Sequence, residues 1–309
     1  TTPSNWSSGS VPTSTSNVTI SSGQVVKANN TTDALVNNIT IDNGGILTIE
    51  RTSNLTVSGD FINNGTVTLN SDTDEFASII VDGTSSGNIT YNRYVNTVGS
   101  NEWDLVGSPL NGLSINSFVT DNSSNLANNG NGTYALGYYD NSNDSWTNYT
   151  TSTAGGAGNL TLGKGYQMAS ASGSTMAFTG TVATSTQTQS VINNADNSGR
   201  RWNLVANPFP SYINLNTQAH ASNNFLTVNS GIIDGNYHAV YGYDADGTGY
   251  TIYNNTAGDG LSDYIAPGQA FFIAAESSSA ANISFTTAMR TTSGGDDFVS
   301  GRLAQSDWS

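Results

Sequence analysis

The part of the chain from residue 103 to residue 289 contains the same set of segments twice, and this duplication constrains the fold more than any other feature. "WDLVGSP" (103–109) corresponds to "WNLVANP" (202–208), and three more pairs follow in the same order. The pairs are "ALGYYDNSNDSWTNY" (135–149) with "AVYGYDADGTGYTIY" (239–253), "LTLGKGYQMAS" (160–170) with "IAPGQAFFIAA" (265–275), and "MAFTGTV" (176–182) with "ISFTTAM" (283–289). The offset between partners drifts only from 99 to 107 residues, as expected for a duplicated unit with loop insertions.

Each copy is typical of a β-sandwich, because short alternating apolar segments follow one another with turns between them. Only 10% of the 309 residues are charged, and the polar remainder is rich in Asn, Thr, Ser and Gly, which favour strands and turns over helix. The long connections "NSFVTDNSSNLANNGNG" and "NTQAHASNNFLTVNS" have room for a turn of helix in equivalent places. We therefore predict two duplicated, jelly-roll-like sandwich units at residues 96–190 and 191–290.

Residues 1–95 have a different pattern, a series of very short strands with tight turns between them. Apolar residues alternate in "NVTI" (17–20), "NITI" (38–41), "ILTI" (46–49), "NLTV" (54–57), "TVTL" (66–69), "SIIV" (78–81) and "NITY" (88–91). Asn and Gly in the intervening segments accept the left-handed backbone of tight turns. The pattern favours a small β-solenoid, with a meandering sandwich as the alternative, and residues 291–309 are expected to be a tail or linker.

Charge and composition exclude some classes of partner. Eight basic against 23 acidic residues give a net charge of −15, which disfavours binding to nucleic acid or to anionic lipid surfaces. The longest apolar run, "AFFIAA" (270–275), is far shorter than the roughly 20 residues that span a bilayer. The chain has no cysteine and therefore no disulfide.

Two turns at matching places in the copies carry aspartates. "YDADGTGY" (243–250) has Asp244 and Asp246 in a D-x-D-G spacing, and "DNSNDSW" (140–146) places Asp140 and Asp144 in the equivalent turn. Alternate oxygens in a tight turn can converge on calcium, although neither loop has the distal bidentate Glu. Calcium binding and ordinary Asp- and Gly-rich hairpin chemistry both fit this pattern.

Aromatic residues follow both turns, at Trp146 and Tyr149 in the first copy and at Tyr250 and Tyr253 in the second. Flat aromatic faces next to acidic or amide side chains can stack on sugar rings. Aromatic residues that alternate along sandwich strands also serve as core. Exposure of a coplanar pair such as Trp146 and Tyr149 would favour glycan binding, and burial would favour a scaffold role.

No residues stand in a catalytic spacing. "GTSSG" (83–87) matches the serine-elbow pattern, but a strand follows it where the elbow needs a helix. His220 and His238 have neither metal-ligand nor triad spacing, and the adjacent Asp296 and Asp297 would point to opposite faces of a strand. The sequence predicts a protein that is not an enzyme.

Several phrases, in one order, resemble a known class of proteins. They are "NWSSGSVPTSTSNVTI", "LTVSGDFINNGTVTL", "WNLVANPFPS", "YIAPGQAFF" and "DDFVSGR". The set resembles the passenger regions of large cell-surface proteins that Bacteroidetes export through the type IX secretion pathway. The resemblance implies an extracellular, cell-surface location. Such proteins usually end in a C-terminal sorting domain, and none is recognised in the sequence after Arg302.

Taken together, these features favour a surface protein with a structural or adhesive role, whose partners are copies of itself, other surface proteins or glycans. Open strand edges would allow it to assemble into a filament or coat by strand addition, with residues 291–309 as a candidate donor strand. The alternative is a carbohydrate-binding module of a larger secreted protein. A hydrolase would need clustered carboxylates that the sequence does not place together.

Overall fold

β-Strands are the main regular structure, at 44% of residues against 8% in helices, which confirms the all-β prediction. The structure is a computed structural model that describes residues 5–29, 33–98, 103–194, 200–244, 249–257, 262–292 and 294–297. A β-solenoid of about three turns comes first and several further sheets follow. No described helix has both the length and the apolar character needed to cross a membrane.

The solenoid is built from eleven short strands that form three parallel sheets. Its strands are β1 (Val18–Ile20), β2 (Val25–Ala28), β3 (Ala34–Val36), β4 (Ile39–Ile41), β5 (Ile46–Ile49), β6 (Asn54–Val57), β7 (Phe61–Asn63), β8 (Thr66–Asn70), β9 (Ser78–Val81), β10 (Ser85–Ser86) and β11 (Ile89–Val95). Successive turns stack in register, so that Val18, Ile39 and Phe61 lie one above another. The alternating sequence places these side chains inside and the intervening threonines outside.

The last solenoid strand also belongs to the first sandwich unit. β11 pairs in parallel with β8 on one side and antiparallel with β16 (Ser174–Gly180) on the other. In the second unit, β24 (Ala281–Phe285) takes its antiparallel partner from β17 (Gln187–Val191) instead. The strand that pairs with β16 of the first unit therefore comes from the solenoid, whereas the strand that pairs with β24 of the second unit belongs to that unit. One apolar core continues from the solenoid into the first unit.

The two units repeat the same strand order, β12-β15-β13-β14 in the first sheet and β18-β23-β20-β21 in the second. The first unit consists of β12 (Asp104–Val106), α1 (Ile115–Asp121), β13 (Thr133–Asp140), β14 (Ser145–Thr150), β15 (Tyr166–Met168) and β16. The second consists of β17, β18 (Trp202–Ala206), β19 (Tyr212–Asn214), α2 (Phe225–Val228), β20 (Val240–Asp244), β21 (Gly249–Tyr253), β22 (Tyr264–Ile265), β23 (Ala270–Ala274), β24 and β25 (Arg290–Thr291). The duplicated sandwich prediction is confirmed.

A short helix fills the long connection of each unit at the same place. Phe118 of α1 packs on Phe178 of β16, with ring centroids 4.9 Å apart. Phe225 of α2 packs on Phe285 of β24 at 5.3 Å. The helices are therefore equivalent parts of the duplicated core, each anchored by an aromatic pair.

The second unit is also attached to the solenoid. The Ile79 N–H donates to the Pro210 carbonyl, and the guanidinium of Arg290 donates to the Val81 carbonyl and pairs with Asp82. Arg93, buried at the end of the solenoid, lies 4.3 Å from the Phe76 ring centroid and pairs with Asp297.

These contacts bear on the predicted tail. β25 pairs with β19 in the second unit, and Asp297 binds the solenoid, so the beginning of this segment is packed on the protein. The rest of the candidate donor strand, residues 298–309, lies outside the described residues.

Candidate functional site

The two sandwich units pack on each other through equivalent surfaces. The Gly107 N–H donates to the Gly268 carbonyl at 2.7 Å, and the Ala206 N–H donates to the Gly163 carbonyl at 2.8 Å. Gly107 and Ala206 occupy the same position in the two copies, as do Gly163 and Gly268. These hydrogen bonds are therefore reciprocal, and the units contact each other as the subunits of a two-fold dimer do.

Small residues let the two sheets approach closely. A Cβ at Gly107 would lie 2.3 Å from the Ala206 Cβ, and one at Gly165 would lie 2.8 Å from the Ala270 Cβ. The contact buries an apolar cluster that is separate from both unit cores. Its buried members are Leu105, Leu204, Ala206, Ala270 and Phe272.

A cavity of about 420 Å³ opens beside this cluster, between the two units. The first unit contributes side chains from β13, β14 and the turn between them, and the second contributes side chains from β18, β20, β21 and β23. The lining residues are Tyr139, Asp144, Trp146, Trp202, Tyr241, Tyr250 and Phe272. We call this cavity the inter-unit pocket.

Three rings stand almost perpendicular to a fourth in the inter-unit pocket. Phe272 is buried, and the rings of Tyr139, Trp146 and Tyr250 make angles of 89°, 81° and 86° with it. Their centroids lie 5.0, 6.0 and 5.7 Å from the Phe272 centroid. Trp146 is 39% exposed and Tyr250 50% exposed, so these rings also reach solvent.

Asp144 supplies the carboxylate of the inter-unit pocket. Its backbone is left-handed, with φ of 52°, which turns the chain between β13 and β14. The Tyr139 hydroxyl donates to the Asp144 Oδ1 atom. Burial and this hydrogen bond raise the pKa of Tyr139 above its usual value, so the phenol keeps its proton and the pocket contains one fixed donor–acceptor pair.

The strand register explains which aromatic residues reach the inter-unit pocket. Tyr139 faces Trp146 across the first hairpin, and Tyr243 faces Tyr250 at the equivalent place in the second. Residues on this face of each sheet point toward the other unit, and their sequence neighbours point into their own core.

The aromatic residues singled out in the sequence separate into two groups. Trp146 and Tyr250 line the inter-unit pocket, whereas Tyr149 and Tyr253 are 9% and 7% exposed and lie in the unit cores. Trp146 and Tyr149 are three residues apart on one strand and so occupy opposite faces. The exposed, coplanar pair that would form a flat sugar platform is not present at these positions.

The aspartates proposed for calcium behave as turn residues where the structure describes them. Asp140 accepts hydrogen bonds from the Ser142 N–H, the Ser142 hydroxyl and the Asn143 amide, and these bonds lower its pKa. Asp244 ends β20, and Asp246 lies outside the described residues. Across the described ranges there is no group of three or more His, Cys, Asp or Glu side chains that could hold a metal. Calcium binding remains a prediction.

The residues considered for catalysis have local structural contacts. Ser85 lies in the short strand β10, and the His220 ring accepts hydrogen bonds from the Ser222 and Asn223 N–H groups. The His238 ring lies 3.2 Å from the Leu226 carbonyl.

Four pocket residues were not predicted as site residues from the sequence: Tyr139, Trp202, Tyr241 and Phe272. The signal that could have revealed them is a run of consecutive apolar residues, without alternation, in the duplicated strands. In "NLVA" and "AFFIA", for example, apolar residues occupy both faces, and a strand that is apolar on both faces is covered on both sides.

The fold defines an all-β protein in which a solenoid carries a duplicated sandwich with an aromatic pocket between its halves. The chain belongs to the family described as a domain of unknown function (DUF8693), which matches residues 1–306. The match spans the solenoid, both units and the inter-unit pocket. No curated protein and no solved structure matches the chain.

Proposed function

We propose that this protein is a non-enzymatic surface protein with an adhesive role, and that the inter-unit pocket holds its target. The observation that supports this proposal is the lining of the pocket, which combines six aromatic side chains with one carboxylate. Concave apolar surfaces with a few placed polar groups are typical of ligand sites. Rigid aromatic side chains give contact area at low cost in conformational entropy.

The chemistry of the lining favours binding over catalysis. Asp144 already accepts the Tyr139 proton donor, and the raised pKa of that phenol makes it a poor base at neutral pH. The side chains can fix the orientation of a ligand and exclude water from its apolar part. An extracellular, cell-surface location is supported by the sequence resemblance and belongs to the same proposal.

An array of immobilised neutral glycans and amine-bearing haptens tests this function. We expect the wild-type protein to be retained on at least one member of the array, and Trp146→Leu to abolish retention. Ile252→Ala is the matched control, because Ile252 is an exposed apolar residue on β21 and does not line the pocket. Retention that survives Trp146→Leu, or no retention on any member, would contradict the proposal. Neutral glycans on the array test the carbohydrate-binding alternative directly.

A second candidate function, assembly of copies of the chain, is supported by the open end of the solenoid. β1, β2 and β3 each stand at the edge of their sheet, with a strand partner on one side only among the described residues. Val25 and Leu35 are exposed on these strands. Edge strands with free N–H and C=O groups can pair with another chain.

A further inference from the structure

The faces of aromatic rings attract cations, and the inter-unit pocket concentrates such rings. Each ring has a negative face and a positive edge, and tryptophan has the strongest attraction for a cation. Tyr139, Trp146 and Tyr250 all line this pocket, and each stands nearly perpendicular to Phe272. We call these three side chains the cage. The rings of Tyr139 and Trp146 meet at 61°, so the lining presents aromatic groups in several orientations, whereas sugar stacking uses a flat exposed face.

The charges around the cage favour a positive ligand. Asp144 lies on the lining, and no lysine, arginine or histidine does in the part of the chain that the structure describes. Arg201, which precedes the lining residue Trp202 in the chain, is engaged elsewhere. It pairs with Asp234 at 2.7 Å and lies 4.9 Å from the Tyr237 ring centroid. The net charge of −15 adds a general attraction for cations.

The scarcity of hydrogen-bond acceptors distinguishes between kinds of cation. A primary ammonium has three N–H donors, and leaving them without acceptors is costly. Among the described residues the pocket offers one carboxylate, one oxygen of which accepts from Tyr139, and its other side-chain polar groups are phenol hydroxyls and indole N–H donors. A quaternary ammonium has no N–H donors to satisfy and is recognised by aromatic faces. The cavity of about 420 Å³ lies near the lower end of the size range of small-molecule sites, roughly 300–1,000 Å³.

The geometry points to recognition of a quaternary, N-methylated ammonium group in the inter-unit pocket, held by Trp146, Tyr139 and Tyr250 with Asp144 as the counter-charge. This inference rests on the proposed adhesive function and names the chemical class of the target. The bearer of the group would be a surface molecule that displays it at the end of a flexible arm, because the pocket is open to solvent beside Trp146 and Tyr250.

The inference is tested by titrating the full chain with tetramethylammonium and following the indole N–H signals of its five tryptophans. Signals of Trp146 and Trp202, assigned by substitution, should shift saturably. Choline should bind, and its uncharged isostere 3,3-dimethylbutan-1-ol should bind about tenfold more weakly, because it lacks the cation–π contribution.

Two variants make the test specific to the cage and to its charge. Trp146→Leu keeps an apolar side chain but removes a π face, and should reduce tetramethylammonium affinity by about tenfold. Asp144→Asn should reduce affinity about threefold by removing the counter-charge. Asparagine tolerates the left-handed backbone of this position, so the turn should persist. Ile252→Ala should bind as the wild type does.

Equal binding of the uncharged isostere would overturn the inference, as would absent binding of tetramethylammonium or binding that is insensitive to Trp146→Leu. If the array identifies a neutral glycan that needs Trp146 while tetramethylammonium does not bind, the ammonium inference fails and the adhesive proposal stands. If neither the array nor the tetramethylammonium titration shows binding that depends on Trp146, both the adhesive proposal and the ammonium inference are contradicted.

Discussion

Asn122 and Asn229 make the same three hydrogen bonds in the two copies. The amide of Asn122 donates to the Phe118 and Ala177 carbonyls and accepts from the Ala177 N–H. Asn229 repeats this pattern with residues of α2 and β24. Each asparagine ends a helix and ties it to a strand, because its side chain binds a helix carbonyl together with the N–H and carbonyl groups of one strand residue.

Replacing Asn229 should therefore be costly although it is a small polar residue. We expect Asn229→Ala to lower the free energy of unfolding by about 2–3 kcal/mol, because buried backbone groups lose their partners. Urea denaturation followed by circular dichroism measures the change. The control is Asn236→Ala, an exposed position where the change should stay within about 0.5 kcal/mol. Equal effects of the two variants would contradict this account.

Asp104 makes the free energy of unfolding of the protein depend on pH. Burial and the neighbouring Asp297 raise the pKa of Asp104 to about 7, and burial beside Asp297 raises that of Asp296 to about 6. At pH values between the ordinary aspartate pKa and these raised values, Asp104 and Asp296 are protonated in the folded state. In the unfolded chain they have already released their protons. It follows that the free energy of unfolding falls as pH rises through this window. The lowered pKa values of exposed Asp60 and Asp140 act below the window.

We expect the protein to be more stable near pH 5 than near pH 8 by at least about 1 kcal/mol. Urea unfolding at a series of pH values measures the difference, and Asp104→Asn should flatten it. A stability that rises across the same window would show that Asp104 is charged throughout.

At the scale of elements, the two ends of the solenoid differ. β11 is covered by β16, and the Ile79 N–H of β9 donates to the Pro210 carbonyl, so the C-terminal end is attached to both sandwich units. The other end presents β1, β2 and β3, with an apolar cavity partly covered by Trp6. All three solenoid sheets have an edge strand at this end among the described strands, and this is where we expect another chain to extend the stack.

Val25→Lys should disperse any assembly that forms through the open end. Val25 is 60% exposed on β2, and a charged side chain on an edge strand opposes pairing with another chain. Light scattering over a range of protein concentrations would show a mass that grows for the wild type and stays at one chain for the variant.

Ile62→Lys is the matched control for this experiment. Ile62 is 40% exposed on β7, which has strand partners on both sides. This variant should assemble as the wild type does. A wild-type protein that remains a single chain at all concentrations would contradict assembly through this end.

The sequence predicts these elements well because each is a local pattern. Alternation fixes the solenoid strands, and the repeated phrases fix the two units. The strand β11 was predicted but its shared role was not, because "NITYNRYV" has the same alternation whether it ends a solenoid or begins a sandwich. Its double role depends on pairing with β16, whose residues lie 79 to 91 positions further along the chain.

At the scale of the whole molecule, the packing of one unit on the other creates the inter-unit pocket. The sequence shows that copies exist but not which faces meet, because both faces of the paired strands are apolar. For this reason Trp146 and Tyr250 were predicted as candidates while Trp202 and Phe272 were missed. Gly107 and Gly165 indicate the contact between the units only when the structure shows that they lie next to Ala206 and Ala270.

Gly107→Ala should disturb this packing. The added Cβ would overlap the Ala206 Cβ, and overpacking of this kind costs about 1–3 kcal/mol. Adding Ala206→Gly exchanges the residues across the contact and should recover part of the loss. Thermal unfolding of the single and double variants measures the coupling between them.

Gly155→Ala is the control for this pair, since a Cβ there meets no atom within 4 Å. It should leave the stability unchanged or slightly raised. If Gly107→Ala behaves as this control does, the close approach of the two units is not as described.

The most direct test of the inter-unit pocket as a binding site is a crystal structure of the protein determined with tetramethylammonium. We expect an ion enclosed by the rings of Tyr139, Trp146 and Tyr250, within reach of the Asp144 carboxylate. An empty pocket at saturating concentration, or an ion bound only at another place, would contradict it.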